Sequence, residues 1–202
     1  MEQVVERDPI LDLDARRRIY VYIQKCPGVH ERELSRELGI PLSTLDYHLF
    51  HLKKRTLIDG QQDGRYTRYF ITKVMNPRDK KVIGILRQRT PRRIILFLLL
   101  HSSVAHKQVS DYLQIAPSTT SFHLRNLLNA EVVERRVIMG DVFYSIRNPE
   151  YLTTLLITYR RSFLDTAVDR FLTTWTELHP THLKRKKKNN RGTSLLLVWF
   201  SS

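Results

Sequence analysis

Cysteine is nearly absent: Cys26 is the sole cysteine of the chain. No intrachain disulfide can form, and neither a cysteine-rich zinc site nor a Cys-x-x-Cys redox pair can be built. Long apolar runs are missing as well, the longest falling far short of the roughly 20 residues a membrane-spanning helix needs. The first residues, 1–14, are charged throughout and carry no apolar signal core. These absences predict a soluble, cytoplasmic chain with no transmembrane segment. Glycine is scarce too, with 7 in the chain, and none sits in a phosphate-cradling loop or a Gly-x-Ser-x-Gly elbow. With no carboxylate pair at suggestive spacing either, no enzyme, no cofactor and no bound metal are expected.

What is present is positive charge. The 202 residues hold 34 Lys and Arg against 20 Asp and Glu, a formal +14, with enough apolar residues (42%) for a real core. A chain this basic attracts polyanions such as nucleic acid or anionic lipid. The charge is uneven: residues 1–75 sum to +2, residues 76–147 to +7, residues 148–180 to −1 and residues 181–202 to +6.

An internal repeat organises the chain. Sliding the sequence by 75 residues aligns residues 17–71 with residues 92–146 without a gap. The identities include Arg17/Arg92, Ile19/Ile94, Val29/Val104, Ser35/Ser110, Leu38/Leu113, Ser43/Ser118, Thr44/Thr119, His48/His123, Leu49/Leu124, Leu52/Leu127, Tyr69/Tyr144 and Ile71/Ile146. Most are apolar and evenly placed, as a shared core requires.

In the first copy, Leu13, Ile19, Tyr20 and Ile23 recur at helical spacing until Cys26-Pro27-Gly28 stops the helix. Residues 31–38 form a second helix ended by Gly39, and Ser43 is placed to cap a third, whose Leu45, Leu49 and Leu52 make a packing stripe. The period then changes to two: Leu57-Ile58 enters a strand, Asp63-Gly64 signals a type I′ hairpin, and residues 65–71 alternate back. In the second copy Thr90 and Pro91 start a helix over residues 92–100. Helices over 106–113 and 118–129 follow, then a hairpin of 132–138 with 142–146 around Gly140-Asp141. A short helix over 79–88 joins the copies. Beyond Asn148-Pro149, residues 150–179 carry one broad apolar side, as one long helix or two packed ones. The expected fold is thus mainly α with small β-hairpin wings. It comprises a first winged helix-turn-helix domain (1–75), a linker helix and second winged domain (76–147), a C-terminal helical dimerisation segment (148–180) and a basic, disordered tail (181–202).

A helix-turn-helix sets its second helix in the major groove, so the third helix of each unit must be polar outward. In copy one the residues off the leucine stripe include Ser43, Thr44, Asp46, Tyr47, His48, His51 and Lys54. In copy two they are Ser118, Thr119, Ser121, Phe122, His123, Arg125 and Asn126. Small hydroxyls at the helix start suit phosphates, while Arg125 and Asn126 have the geometry for guanine and adenine edges. The wings add Arg65 and Arg68 in copy one and Arg135 and Arg136 in copy two, where a hairpin meets the flanking backbone. Set against this, an arginine on an edge hairpin can simply solvate it. A half-buried His48 or His123 can equally be bonded to a neighbouring helix, and His48 with His51 lacks a third ligand for a metal.

The segment Ser43-Thr44-Leu45-Asp46-Tyr47-His48-Leu49-Phe50-His51-Leu52, ending in Leu57-Ile58, resembles the recognition helix of ArsR-like and MarR-like winged-helix transcription regulators, particularly archaeal ones with two such domains. Copy two repeats it as Ser118-Thr119-Thr120-Ser121-Phe122-His123-Leu124-Arg125-Asn126-Leu127, and the likeness covers roughly residues 13–147. It implies sequence-specific binding of double-stranded DNA, usually as a dimer, through helix three and the wing. Two departures matter. The cysteines of metal-sensing members are missing, and Asp46 would repel phosphate unless it accepts a bond from cytosine.

The reading is therefore a cytoplasmic, nucleoid-associated, homodimeric regulator of transcription, paired through the C-terminal helix. The rival is a protein-interaction scaffold of tandem winged helices, a role that copy one, with its outward Asp46 and Phe50, could fill. The basic run 184–188 with Arg191 is expected to add nonspecific DNA affinity. The apolar residues 195–200 could dock on the core, join a partner or touch an anionic membrane, the last not being favoured.

Overall fold

The first helix, α1 (Asp14–Lys25), forms where Ile19 and Ile23 fall one turn apart and both are buried, with Asp14 in its first turn and Lys25 in its last, as the helix dipole favours. The structure is a computed structural model, and it describes residues 13–163 and 165–178. Gly28 then turns the chain at φ +76, and a Cβ there would meet Arg87 and Ile83 at 3.0 and 3.1 Å. Only glycine allows both that backbone and that approach.

A two-residue strand, β1 (Val29–His30), leads into α2 (Glu31–Leu38), whose N-terminus is capped by the His30 imidazole accepting from the Glu33 amide. Then comes α3 (Leu42–Lys54). Its N-cap is Pro41 and makes no side-chain cap bond, so Ser43 lies inside the first turn rather than capping it. The hairpin β2 (Ile58–Asp63) and β3 (Tyr66–Ile71) joins β1 in an antiparallel sheet of order β1-β3-β2. One core binds these elements: Ile19, Ile23, Leu34, Leu45, Leu49, Leu52, Tyr69 and Ile71 are buried together. At about 1.5–3 kcal/mol per fully buried large aliphatic or aromatic side chain, this cluster is what sets α3 against the sheet.

The linker helix α4 (Pro77–Leu86) starts two residues earlier than its apolar pattern indicates, because the Asn76 side chain caps it by accepting from the Asp79 amide and Pro77 occupies the first turn. The second copy follows as α5 (Arg89–Leu100), β4 (Val104–Ala105), α6 (His106–Leu113), α7 (Pro117–Asn129), β5 (Val133–Ile138) and β6 (Asp141–Ile146), again with sheet order β4-β6-β5. The fold is thus mainly helical with two small three-stranded sheets, each carrying a hairpin wing.

The first hairpin turn sits one residue later than expected and the second one residue earlier. Asp63 pairs with Tyr66, leaving Gly64-Arg65 as the loop with positive φ at Gly64 alone, the type II′ pattern rather than I′. Ile138 pairs with Asp141, leaving Met139-Gly140, both at positive φ, which is the type I′ pattern.

The stretch after Asn148 breaks into two helices. The first, α8 (Pro149–Thr158), with a 3₁₀ turn at Arg160–Ser162, belongs to the same compact unit as the two winged domains. Its Leu152, Leu155 and Leu156 are buried, Tyr151 Oη donates to Asp79, and the buried Ser162 hydroxyl donates to the Pro27 carbonyl. Arg87, at the end of α4, ties these parts together by pairing with Glu33 of α2 and donating to Ser162. The second, α9 (Thr166–Leu178), lies in a separate unit, its first turn held by the Asp165 carboxylate accepting from the Ala167 amide. The basic run 184–188, Arg191 and the apolar residues 195–200 lie outside the described residues.

Candidate nucleic-acid interface

Helix α3 is anchored by Leu45, Leu49 and Leu52, all essentially inaccessible, so its remaining positions are turned away from the core. Ser43, Thr44, Asp46 and Lys54 are exposed, Tyr47 and Phe50 are 56% and 62% exposed, and His48 and His51 are half-buried. Tyr47 and His51 meet edge to face at 4.5 Å, and the Arg16 guanidinium lies 5.7 Å from the Tyr47 ring centre. His48 Nδ1 is buried and finds no hydrogen-bond partner among the described residues. Burial, helped by the neighbouring Arg16 and His51, holds the His48 imidazole below its usual range and favours its neutral form. The outward face of α3 is therefore aromatic as well as polar: Phe50 is outward as expected, and Lys53 belongs to the face beside the residues singled out from the sequence.

Helix α7 repeats the arrangement with Leu124 and Leu127 inside. Ser118, Thr119, Phe122, Arg125 and Asn126 are exposed. Arg125 has neither an ion pair nor a hydrogen bond among the described residues, which leaves its guanidinium available to a ligand. Ser121 is half-buried and bonded to the His106 ring at 2.9 Å, so its hydroxyl is already engaged. His123 is half-buried, and burial lowers its pKa. A cleft of about 470 Å³ runs between the first wing (Gln61, Gln62), α4 (Lys80, Lys81), Gln88 at the start of α5, and α7, and His123 and Asn126 line it. The polar face of α7 is thereby divided: Ser118, Thr119, Phe122 and Arg125 on open surface, His123 and Asn126 against the first domain.

The wings differ from one another. Arg65 stands exposed at the first turn. Arg68, expected beside it on the surface, is instead 7% exposed: its Nε pairs with Asp63 at 2.5 Å and its Nη1 donates to the Gly28 carbonyl at 3.0 Å. The reason lies in the sheet. β3 is the central strand, with Tyr69 and Ile71 on the face toward α1, α2 and α3, while Arg68 and Phe70 lie on the opposite face, which α4 covers. The signal was the continuous run Tyr69-Phe70-Ile71, which marks a strand buried on both sides rather than an alternating one. In the second wing Arg135 and Arg136 are exposed, Arg136 bonding Glu134 at 2.7 Å. Among the described residues no three His, Cys, Asp or Glu side chains gather as a metal site would require, and no helix is long and apolar enough to cross a membrane.

Comparison with known proteins agrees with this architecture. Residues 13–83 match the family described as HTH_HVO_0163_N, N-terminal HTH domain, and residues 90–135 match the family described as bacterial regulatory protein, arsR family. A curated relative, an uncharacterized HTH-type transcriptional regulator of Methanocaldococcus jannaschii, is 33% identical over 144 residues. These are 71% of this chain and 36% of the relative, so the chain spans only about a third of that protein's length. Among solved structures, the transcriptional repressor PagR of Bacillus anthracis aligns with 40% of this chain and 91% of its own at 22% identity and a TM-score of 0.36. The chain thus carries two winged helix-turn-helix domains in tandem, the second similar to the arsR family over residues 90–135. Neither matched family is described as an enzyme.

Proposed function

We propose that this chain is a DNA-binding regulator of transcription that reads a specific double-stranded sequence through α7 and α3, flanked by their wings. The observation that carries the reading is α7. Its leucines hold it to the core while Ser118, Thr119 and unpaired Arg125 stand on open surface, beside exposed Arg135 and Arg136 in the domain of highest net charge. Arg125 is the candidate for a guanine edge, the two hydroxyls and the wing arginines for phosphates. On α3 the corresponding contacts are Ser43, Thr44, Tyr47, His51 and Lys54, with Arg65 on its wing. The N-terminal family match, the ArsR-family match and the regulator to which the chain is similar support the same class of function.

Such a protein works in the cytoplasm on the nucleoid, and α9 is the element proposed to pair two copies so that their α7 helices meet two half-sites. Leu152, Leu155 and Leu156 of α8 are buried, and so are Val168 and Phe171 of α9, so pairing would use the remaining exposed side of α9. The test is a fluorescence-anisotropy titration of a duplex at increasing salt. Phosphate contacts lower the logarithm of the affinity by about 0.9 per contact per decade of salt, so four contacts per copy give a slope of about −3.6. Affinity indifferent to salt would overturn the reading. Arg125→Ala costs about 1–3 kcal/mol and relaxes specificity at one base pair.

A second reading attaches to the first domain alone. Phe50 and Tyr47 are the large apolar residues most exposed on α3, and Asp46 sits among them. That face suits a protein partner, and pull-down of one protein by the wild type but not by Phe50→Ala would support it.

A further inference from the structure

The two wings occupy the same register of the repeat, yet their tips have opposite chemistry. Gln62, Asp63 and Gly64 in the first wing correspond to Val137, Ile138 and Met139 in the second. The first tip is tied down, since Asp63 holds Arg68 and accepts from Gln88. The second projects: Val137 is 59% and Ile138 48% exposed, and Met139 is fully exposed. Met139 also adopts φ +52 where the first copy has glycine at φ +60. A side-chain-bearing residue in that region is strained, and a bulky apolar one wholly in water gains nothing from its surroundings to offset it. Something that receives the tip would bury this exposed surface and so offset the backbone strain.

We infer that the second wing is an apolar wedge that enters the minor groove of bound DNA and opens a base step, with Met139 and Ile138 as the inserted side chains. This rests on the DNA-binding reading above and adds to it a deformation of the duplex. Apolar side chains inserted between base steps partly unstack them and kink the helix. Arg135 and Arg136, on the strand leading to the tip, are placed to meet the phosphates that line the groove. Charge also decides against a second copy as the occupant. β5 is the edge strand of its sheet, and pairing two such edges about a two-fold axis would bring the arginine pairs of both copies together.

The experiment uses the full chain and a duplex that it selects from random-sequence DNA, with 2-aminopurine substituted at successive positions across and beside the site. Wild type is expected to raise the fluorescence at one flanking step. Met139→Asn suits the type I′ turn, so it is expected to raise the melting temperature of the protein, abolish the fluorescence rise and weaken binding about tenfold, the equivalent of about 1.4 kcal/mol. Ile138→Asn is expected to lose the same signal. A variant that is better folded but binds worse separates the wedge from a structural role. Unchanged affinity in both variants, with no rise at any step for wild type, overturns the wedge while leaving the regulator reading intact. Selection of no duplex at all overturns both. Dissociation of a DNA-free dimer by Met139→Asn, seen in sedimentation, assigns the tip to a second copy and overturns the wedge.

Discussion

Replacing Arg68 separates two accounts of the same residue. On a hairpin wing an arginine reads as a phosphate contact, and its loss would leave stability alone while lowering the salt slope of DNA binding by about 0.9. The structure assigns it a different task. Its guanidinium spans from Asp63 to the Gly28 carbonyl beneath α4, and only 9% of the side chain is accessible. Arg68→Met keeps much of the volume but strands both acceptors. A buried pair broken on one side costs about 3–5 kcal/mol, but the Asp63 side chain is 33% accessible and can recover water, which lowers that share. The carbonyl left without its donor costs about 1–3 kcal/mol. A total of about 3 kcal/mol is expected. For a unit of this size that lowers the melting temperature by about 6–12 °C. Circular-dichroism melting and a salt-titrated binding assay on one preparation decide the matter. An unchanged melting temperature together with a shallower salt slope would refute the reasoning.

Two further outcomes follow from buried titratable groups. Burial holds His30, His48 and His123 below the usual imidazole range, Glu33 partly opposing this at His30. The unfolded chain therefore binds more protons as the pH falls, so their stabilising share is intact above about pH 6.5 and is lost as the pH drops toward the depressed folded values. The urea midpoint should fall between about pH 7 and 5, and His48→Gln should flatten that fall; a midpoint that rises on acidification would contradict it. Cys26 is buried, its thiol donating toward the Arg161 carbonyl at 3.7 Å, and burial pushes its pKa up despite nearby Arg87. A thiol reagent should modify it only at the rate of unfolding, whereas fast labelling of the native chain would show the 3₁₀ turn at Arg160–Ser162 to be detached.

The outward positions of α3 and α7 were partly legible for a plain reason. Residues on one helix share a face by spacing alone, so the leucine stripes of α3 and α7 sufficed to turn Ser43, Thr44, Lys54, Ser118, Thr119 and Arg125 outward. The exceptions are set by contacts between elements. His106 engages Ser121, the first wing faces His123 and Asn126 across a cleft, and Arg16 packs on Tyr47. No local pattern encodes those meetings.

What the residues alone determined is the duplicated unit: three helices, a tight turn and a hairpin, dictated twice by the same apolar spacing because burial of that spacing is the main force on each unit. Tertiary structure alone decided which surfaces stay open. The linker helix covers the outer face of the first sheet and takes Arg68 inside. The 3₁₀ turn after α8 binds Pro27 and Arg87. The register of each hairpin moves its turn by one residue, which leaves Gly64 at one tip and Met139 at the other. Burial is decided by what packs on a face, and the packing elements here lie tens of residues away along the chain.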